Sequence, residues 1–200
     1  MDLIVLATRN EGKARELTIL LRGLAKRFES LREHPGIVLP PETGSTYREN
    51  AIAKARAVYD ALGAPALGDD SGLEVDALGG APGLHSARFA GENASDQPNV
   101  ARLLRDLEGV PPGRRTARFR CVLALARGPE DAVIAEGARE GRILEAPRGR
   151  GGFGYDPVFV PAGESLSYAE LTDDRNNALS HRARAVAALR EALGNQTLTP

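Results

Sequence analysis

The first apolar stretch of the chain is unbroken. Leu3-Ile4-Val5-Leu6-Ala7 carries no polar residue, the mark of a strand buried on both faces. After Thr8-Arg9-Asn10-Glu11-Gly12-Lys13 the period changes. Leu17, Leu20, Leu21, Leu24 and Phe28 stand at i, i+3, i+4, i+7 and i+11, which predicts one helix with a single apolar stripe. Residues 35–44 are rich in proline and glycine and predict a loop. A second helix is predicted over 46–62, with Ile52, Ala55, Tyr59 and Leu62 on one face and Gly63 as its stop.

Pro65-Ala66-Leu67-Gly68 is too short to assign, but it leads into Asp69-Asp70-Ser71-Gly72. A loop with many glycines runs on to Gly91, and a helix over 96–107 is predicted to start from Ser95 as its N-cap. Residues 118–127 and 131–146 read as two strands joined by a turn at Gly128-Pro129. A segment with four glycines follows at 149–157, and a last helix is predicted over 177–193, striped by Leu179, Val186, Leu189 and Leu193. Helices and strands mixed in this order predict an α/β fold with a mixed sheet. At 200 residues the chain is expected to form one domain, 1–200, with room for two lobes.

Composition changes this picture little. Apolar residues make up 42% and charged ones 26%, ordinary for a globular protein. The net charge of −1 gives nucleic acid no electrostatic foothold, so none is expected as a partner. No apolar run approaches the ~20 residues of a membrane span, and Met1 to Thr8 has no basic region before a long apolar stretch, so neither a membrane segment nor a signal peptide is expected. The single cysteine, Cys121, lies in an apolar run and reads as a small buried hydrophobe, which fits a reducing, cytoplasmic setting.

Four places carry candidate chemistry. At Thr8 to Lys13 a buried strand turns into a helix, where free backbone N–H groups and the helix dipole attract phosphate and Lys13 adds a point charge. The sequence lacks the glycine-rich P-loop pattern, so the alternative of an ordinary turn stays open. Asp69-Asp70 places two carboxylates side by side, costly unless a cation balances them, and magnesium favours one or two carboxylates plus phosphates. Solvated turn carboxylates are the alternative there, and Glu74 and Asp76 read as one polar strand face. The glycines around Phe153-Gly154-Tyr155-Asp156 allow a ligand close to the backbone, with Phe153 or Tyr155 stacking on a flat base. Arg182, beside His181, falls on the apolar stripe of the last helix, where a charge needs a partner such as a base carbonyl or a phosphate.

The order of the motifs says more than any one of them. Leu6 to Glu16, Glu49-Asn50-Ala51 with Lys54-Ala55, Asp69 to Leu73, Gly79 to Gly83 with Ser86-Ala87-Arg88, Gly152 to Pro157, then Ala169-Glu170-Leu171 and Ser180-His181-Arg182 follow one another over nearly the whole chain. This series resembles the inosine/xanthosine triphosphate pyrophosphatase family. The resemblance implies hydrolysis of ITP, dITP and XTP to the monophosphate and pyrophosphate with Mg2+. It also implies an elongated mixed β-sheet with flanking helices, two lobes with a central cleft, and a homodimer. Carried onto this chain, Thr8, Arg9, Asn10, Glu11, Gly12 and Lys13 hold the triphosphate. Asp70 is the acidic centre, binding metal and treated as proton acceptor, with Asp69 as helper. One carboxylate does not comfortably serve as both a tight metal ligand and a strong base, so whether Asp70 is base or metal ligand alone stays open. Ser71 touches substrate, Phe153, Gly154, Tyr155 and Asp156 line the base pocket, and His181 and Arg182 read the purine. Three positions depart from the family. Arg9 stands where glycine is usual, and Asn176 stands where a lysine precedes the histidine by five, with Arg175 adjacent. In Pro41-Glu42-Thr43-Gly44, only Glu42 is available as the metal-binding glutamate.

Two other readings compete. One is a pyrophosphatase of related architecture acting on pyrimidine or modified nucleotides. The other is a nucleotide- or RNA-binding module without catalysis, against which stand the net charge and an aromatic content of only 4%.

Overall fold

The computed structural model describes residues 1–196, and its contacts divide the chain into two compact units. Unit 1 comprises residues 1–70, 121–137 and 182–200, and unit 2 comprises residues 71–120 and 138–181. A six-stranded sheet has the order β2-β1-β3-β4-β5-β6, numbered along the chain. It is mixed: β1 is parallel to β2 and β3, and β5 is antiparallel to β6. The expected α/β mixed sheet with flanking helices is therefore what forms. None of the described helices is long and apolar enough to cross a membrane.

In unit 1, β1 (Leu3–Leu6) buries both faces as its unbroken apolar run requires. Helix α1 (Glu11–Leu20) begins where the Asn10 side chain accepts the Lys13 N–H, satisfying one orphan donor of the first turn. It ends earlier than the stripe predicted. The chain turns through Gly23, whose φ of 88° suits glycine, and Phe28 lies in β2 (Arg27–Ser30), paired with Ile4. This short edge strand carries one apolar residue and so has no period of its own.

Helix α2 (Tyr47–Leu62) starts at Thr46, whose hydroxyl accepts the Glu49 N–H, and stops at Gly63 with φ 63°. Its buried face matches the predicted one only in part, since Ala55 is buried and Ile52 and Tyr59 are half-buried. Asn50, Ala51, Lys54, Ala55 and Val58 point inward, while Leu62 is exposed. β3 (Ala66–Val75) then runs beside β1, with Val5 opposite Ala66 and Leu6 opposite Leu67. Asp69 and Asp70 sit inside this buried strand, not in a turn. Unit 1 closes on a core of Ile4, Leu6, Leu17, Leu67, Leu123 and Leu189.

Unit 2 has its own core, in which Leu73, Leu103, Phe119, Phe159 and Tyr168 are among the buried residues. Helix α3 (Asp96–Asp106) follows Ser95, which holds the N-cap position but makes no side-chain cap bond. β4 (Thr116–Ala126) and β5 (Ala132–Ile143) are the two predicted strands, β5 ending short of residue 146 with its last three residues paired to β6 (Phe159–Pro161). The last predicted helix is two helices, α4 (Asp173–Leu179) and α5 (His181–Gln196). Ser180 between them is extended, with φ −67° and ψ 155°, and Leu179 belongs to the core of unit 2 while Val186 and Leu189 belong to that of unit 1. A shared stripe in the sequence thus serves two cores.

Gly68 fixes how closely α2 approaches β3. A Cβ there would collide with the Ala51 carbonyl and press on the Ala55 nitrogen, both backbone atoms that cannot rotate away. Gly68→Ala is expected to destabilise the protein by about 1–3 kcal/mol, a fall in Tm of several degrees. Thermal unfolding followed by circular dichroism checks this, and an unchanged Tm would show that the helix can retreat at no cost.

Candidate functional site

Two adjacent strand residues organise the charged interior of unit 1. Asp69 is buried and each of its oxygens meets a cation: Lys13 Nζ lies 2.6 Å from Oδ1 and Arg182 Nε lies 2.9 Å from Oδ2. Arg182 is itself buried and its Nη1 reaches Glu16 Oε2 at 2.8 Å. Burial alone would raise the Asp69 carboxyl, but Lys13 and Arg182 overcome it and hold the group well below the usual carboxylate range. Cys121 Sγ lies 3.5 Å from Asp69 Oδ2, and burial together with that carboxylate pushes the thiol well up, so it is no nucleophile.

Asp70 faces a different set. Lys54 Nζ is 2.9 Å from its Oδ1, 2.6 Å from Glu42 Oε1 and 3.0 Å from the Asp69 carbonyl. Asn50 Nδ2 donates to Asp70 Oδ2 at 3.0 Å. Burial raises the Asp70 carboxyl against the opposing pull of Lys54 and Asn50, and the net shift is upward. Burial would lower Lys54, yet Asp70 and Glu42 outweigh it and keep the ammonium protonated above its ordinary range. The two neighbouring carboxylates are thus shifted in opposite directions, Asp69 downward by its cations and Asp70 upward by burial.

The strand-to-helix turn places its residues unevenly. Thr8 is buried and its hydroxyl accepts the Asn10 N–H at 3.1 Å. Asn10 caps α1, Gly12 lies in the first turn, and exposed Glu11 pairs with Arg32. Arg9, the departure from the family pattern, turns to the 31–37 segment and donates to the carbonyls of Pro35 at 3.2 Å and Ile37 at 2.7 Å. Of the six, Lys13 reaches Asp69.

In unit 2, Ser71 follows in β3 and is half-buried. The 152–157 turn is fastened from three sides. Asp156 Oδ2 accepts the Phe153 N–H at 2.9 Å, Asp96 Oδ2 accepts the Gly154 N–H at 2.6 Å, and the Tyr155 hydroxyl donates to the Ser86 carbonyl at 2.8 Å. Tyr155 is therefore a core residue, and Phe153, half-buried, is the ring of the two with an exposed part. His181 is buried and stacks on Phe119, centroids 4.8 Å apart and planes 11° from parallel. Asn176 lies in α4, where its neighbour Arg175 pairs with Glu164 at 2.6 Å.

Four residues had no role assigned from the sequence. Lys54 and Asn50 appeared there only as motif letters, and Glu16 and Phe119 not as chemistry at all. A signal existed for the first two: polar residues at i and i+4 alongside Ala51, Ala55 and Val58 belong on the inward face of an alanine-rich helix.

The sequence model of the Ham1 family matches residues 4–192. The chain belongs to the Ham1 family. It is 49% identical over 191 residues to a protein named dITP/XTP pyrophosphatase from Geobacillus kaustophilus, covering 96% of this chain and 94% of that protein. A protein of the same name from Methylococcus capsulatus is 52% identical over 193 residues, 95% of each. Among solved structures, a HAM1 protein from Coxiella burnetii superposes with a TM-score of 0.85 at 42% identity, over 98% of this chain and 100% of that one. The Ham1 protein of Staphylococcus aureus gives 0.84 at 35% identity, with the same coverage. Membership in the Ham1 family thus rests on the whole length, the segments around Asp69 and Asp70 included.

The electrostatics carry a stability test. Asp69 has its folded-state pKa depressed, so its contribution is complete above about pH 4, the unfolded value, and is lost as pH falls through the folded one. Arg182→Leu leaves both Asp69 and Glu16 without this partner and is expected to cost about 3–5 kcal/mol at neutral pH. The deficit should shrink on acidification below about pH 4. Urea unfolding at several pH values measures it, and a loss under about 1 kcal/mol would mean Asp69 is satisfied by Lys13 alone.

Proposed function

We propose that this Ham1-family chain hydrolyses non-standard purine nucleoside triphosphates, ITP, dITP and XTP, to the monophosphate and pyrophosphate, and so clears them from the nucleotide pool. The observation that supports it most directly is the Asp69-Asp70 pair, buried in one strand and held in opposite protonation tendencies by different cations. Relatives near 50% identity bear the name of that activity.

Magnesium suits the donor set. Glu42 and Asp70 already converge on one cation, the Lys54 ammonium, so two carboxylate oxygens share a small volume there. Among the described residues no group of three or more His, Cys, Asp or Glu forms a cage. A cage is not needed, because Mg2+ takes one or two carboxylates and completes its shell with water and phosphate oxygens. Glu42 and Asp70 are the ligands this reading favours. Asp69, with a cation on each oxygen, is the weaker choice. When bound, the ion neutralises phosphate charge and orients the tail.

The chain's own groups supply the rest. Lys13, at the start of α1, pairs with polyphosphate oxygens, and Thr8 to Gly12 shape the turn beneath it. Asp70 is the acceptor of the proton from the attacking water on this reading, as the water oxygen bonds to the α-phosphorus and the α–β bridging bond breaks, releasing pyrophosphate. Lys54 balances the charge beside Asp70. In unit 2, Ser71 contacts substrate, Phe153 with Gly154 to Asp156 lines the base pocket, and His181 takes part in purine recognition. Asn176 is kept among the substrate-binding residues, and Arg182, expected from the family resemblance to read the purine, is held by Asp69 and Glu16 and on this reading braces Asp69 and thereby Lys13. A 6-oxo purine is preferred because buried polar groups that pair with it are left unpaired by a 6-amino one. The same reading takes residues 1–200 as one functional domain and the working form as a cytoplasmic homodimer.

A panel of ITP, dITP, XTP, ATP, GTP, dTTP and UTP with product identification tests the whole. Pyrophosphate from the first three, and little turnover of the rest, is expected. Orthophosphate as product, or a preference for pyrimidines, would remove the assignment. Asp70→Asn is expected to lower kcat at least a hundredfold in a folded protein. Lys13→Ala is expected to raise KM, since phosphate pairing is lost, and unchanged kcat and KM would release Lys13 from that role.

A further inference from the structure

Asn50 makes two hydrogen bonds in opposite directions. Its Oδ1 accepts the Gly44 N–H at 2.9 Å and its Nδ2 donates to Asp70 Oδ2 at 3.0 Å. The chemistry fixes the orientation of the amide, because a backbone N–H only donates and a carboxylate only accepts. The residue is buried, on the inward face of α2 one turn before Lys54.

The two helix residues therefore divide Asp70 between them. Lys54 takes Oδ1 and Asn50 takes Oδ2. Both also hold the segment that carries Glu42, Lys54 through the Glu42 carboxylate and Asn50 through the backbone two residues on. Gly44 is pressed against this arrangement, since a Cβ there would come within 2.5 Å of Asn50 Oδ1 and 2.9 Å of Glu49 Cβ. Asn50 is also the neutral member of the group. It ties down a carboxylate oxygen without adding charge beside Asp70, Glu42 and Lys54.

We propose that Asn50 is a positioning residue for divalent metal: it aims Asp70 Oδ1 and fixes the Glu42 segment at one separation, so that the two carboxylates present a pre-set pair to the ion. The inference rests on the reading of Glu42 and Asp70 as metal ligands. Partners that orient a ligating carboxylate typically contribute 10–100-fold to metal affinity.

The test is direct binding of Mn2+ to the nucleotide-free protein by electron paramagnetic resonance, with Mg2+ in competition, beside kinetics on dITP. Asn50→Ala is expected to raise the Mn2+ Kd about tenfold or more. It should also raise the Mg2+ concentration for half-maximal activity by a like factor, while KM for dITP at saturating Mg2+ moves less than threefold. Should that variant fail to fold, Asn50→Gln keeps donor and acceptor but displaces them by one methylene, and the same rise is expected of it. A folded variant with Mn2+ Kd within twofold of wild type would overturn the proposal. Wild-type protein that releases pyrophosphate but binds Mn2+ independently of Glu42 and Asp70, judged by Glu42→Gln and Asp70→Asn, would overturn the ligand reading beneath it instead.

Discussion

Two carboxylates are buried next to each other in the interior of a strand, and unit 1 is arranged around the cost of that. An isolated ionised carboxylate in an apolar interior is so unfavourable that it protonates or the strand does not form. Alternation along a strand sends Asp69 and Asp70 to opposite faces, so each needs its own counter-charge. Asp69 receives Lys13 from α1 and Arg182 from α5, whereas Asp70 receives Lys54 and Asn50 from α2. Three helices are thus pinned to one strand by charge as well as by apolar packing.

The two solutions differ in degree, and the difference is chemically useful. Two cations on Asp69 more than offset its desolvation, while one cation and one amide on Asp70 do not. The first is locked as an anion and serves as a fixed charge. The second retains proton affinity and an exposed-side neighbour, Glu42, that shares its cation. A buried pair of like residues becomes electrostatically unequal through the number of positive charges each side provides.

The sequence made the apolar strands, the strand-to-helix turn at Thr8 and the start and stop of α2 legible, because each depends on local spacing or a single turn residue. It misplaced what depends on partners distant in the chain. Phe28 fell into the stripe of α1 because i+11 keeps helical phase, although Gly23 had already turned the chain into an edge strand. The inward face of α2 was only partly read: Ala55 was placed on it, but small Ala51 carries less hydrophobic signal than Ile52 and Leu62, and the close approach at Gly68 demands a small residue there. Leu179 and Val186 looked like one stripe and serve two cores. For the site, motif order picked out Asp70 and Lys13. The pairing of Lys13 with Asp69 and of Lys54 with Asp70 was not legible, because which of two adjacent aspartates faces which helix is decided by sheet order.

Gly68 links the packing to the charges. It is the residue before Asp69, and the absence of its side chain lets α2 approach β3 closely enough for Lys54 Nζ to reach both the Asp69 carbonyl and the Asp70 carboxylate. A helix held about a methyl group farther out would leave an ammonium and two carboxylates desolvated without contact, the least favourable of the available states. Close packing and charge pairing therefore support each other at this point: the contact that tightens the apolar interface also completes the ion cluster. The geometry around Asp70 is consequently tied to the stability of the fold and not adjustable independently of it.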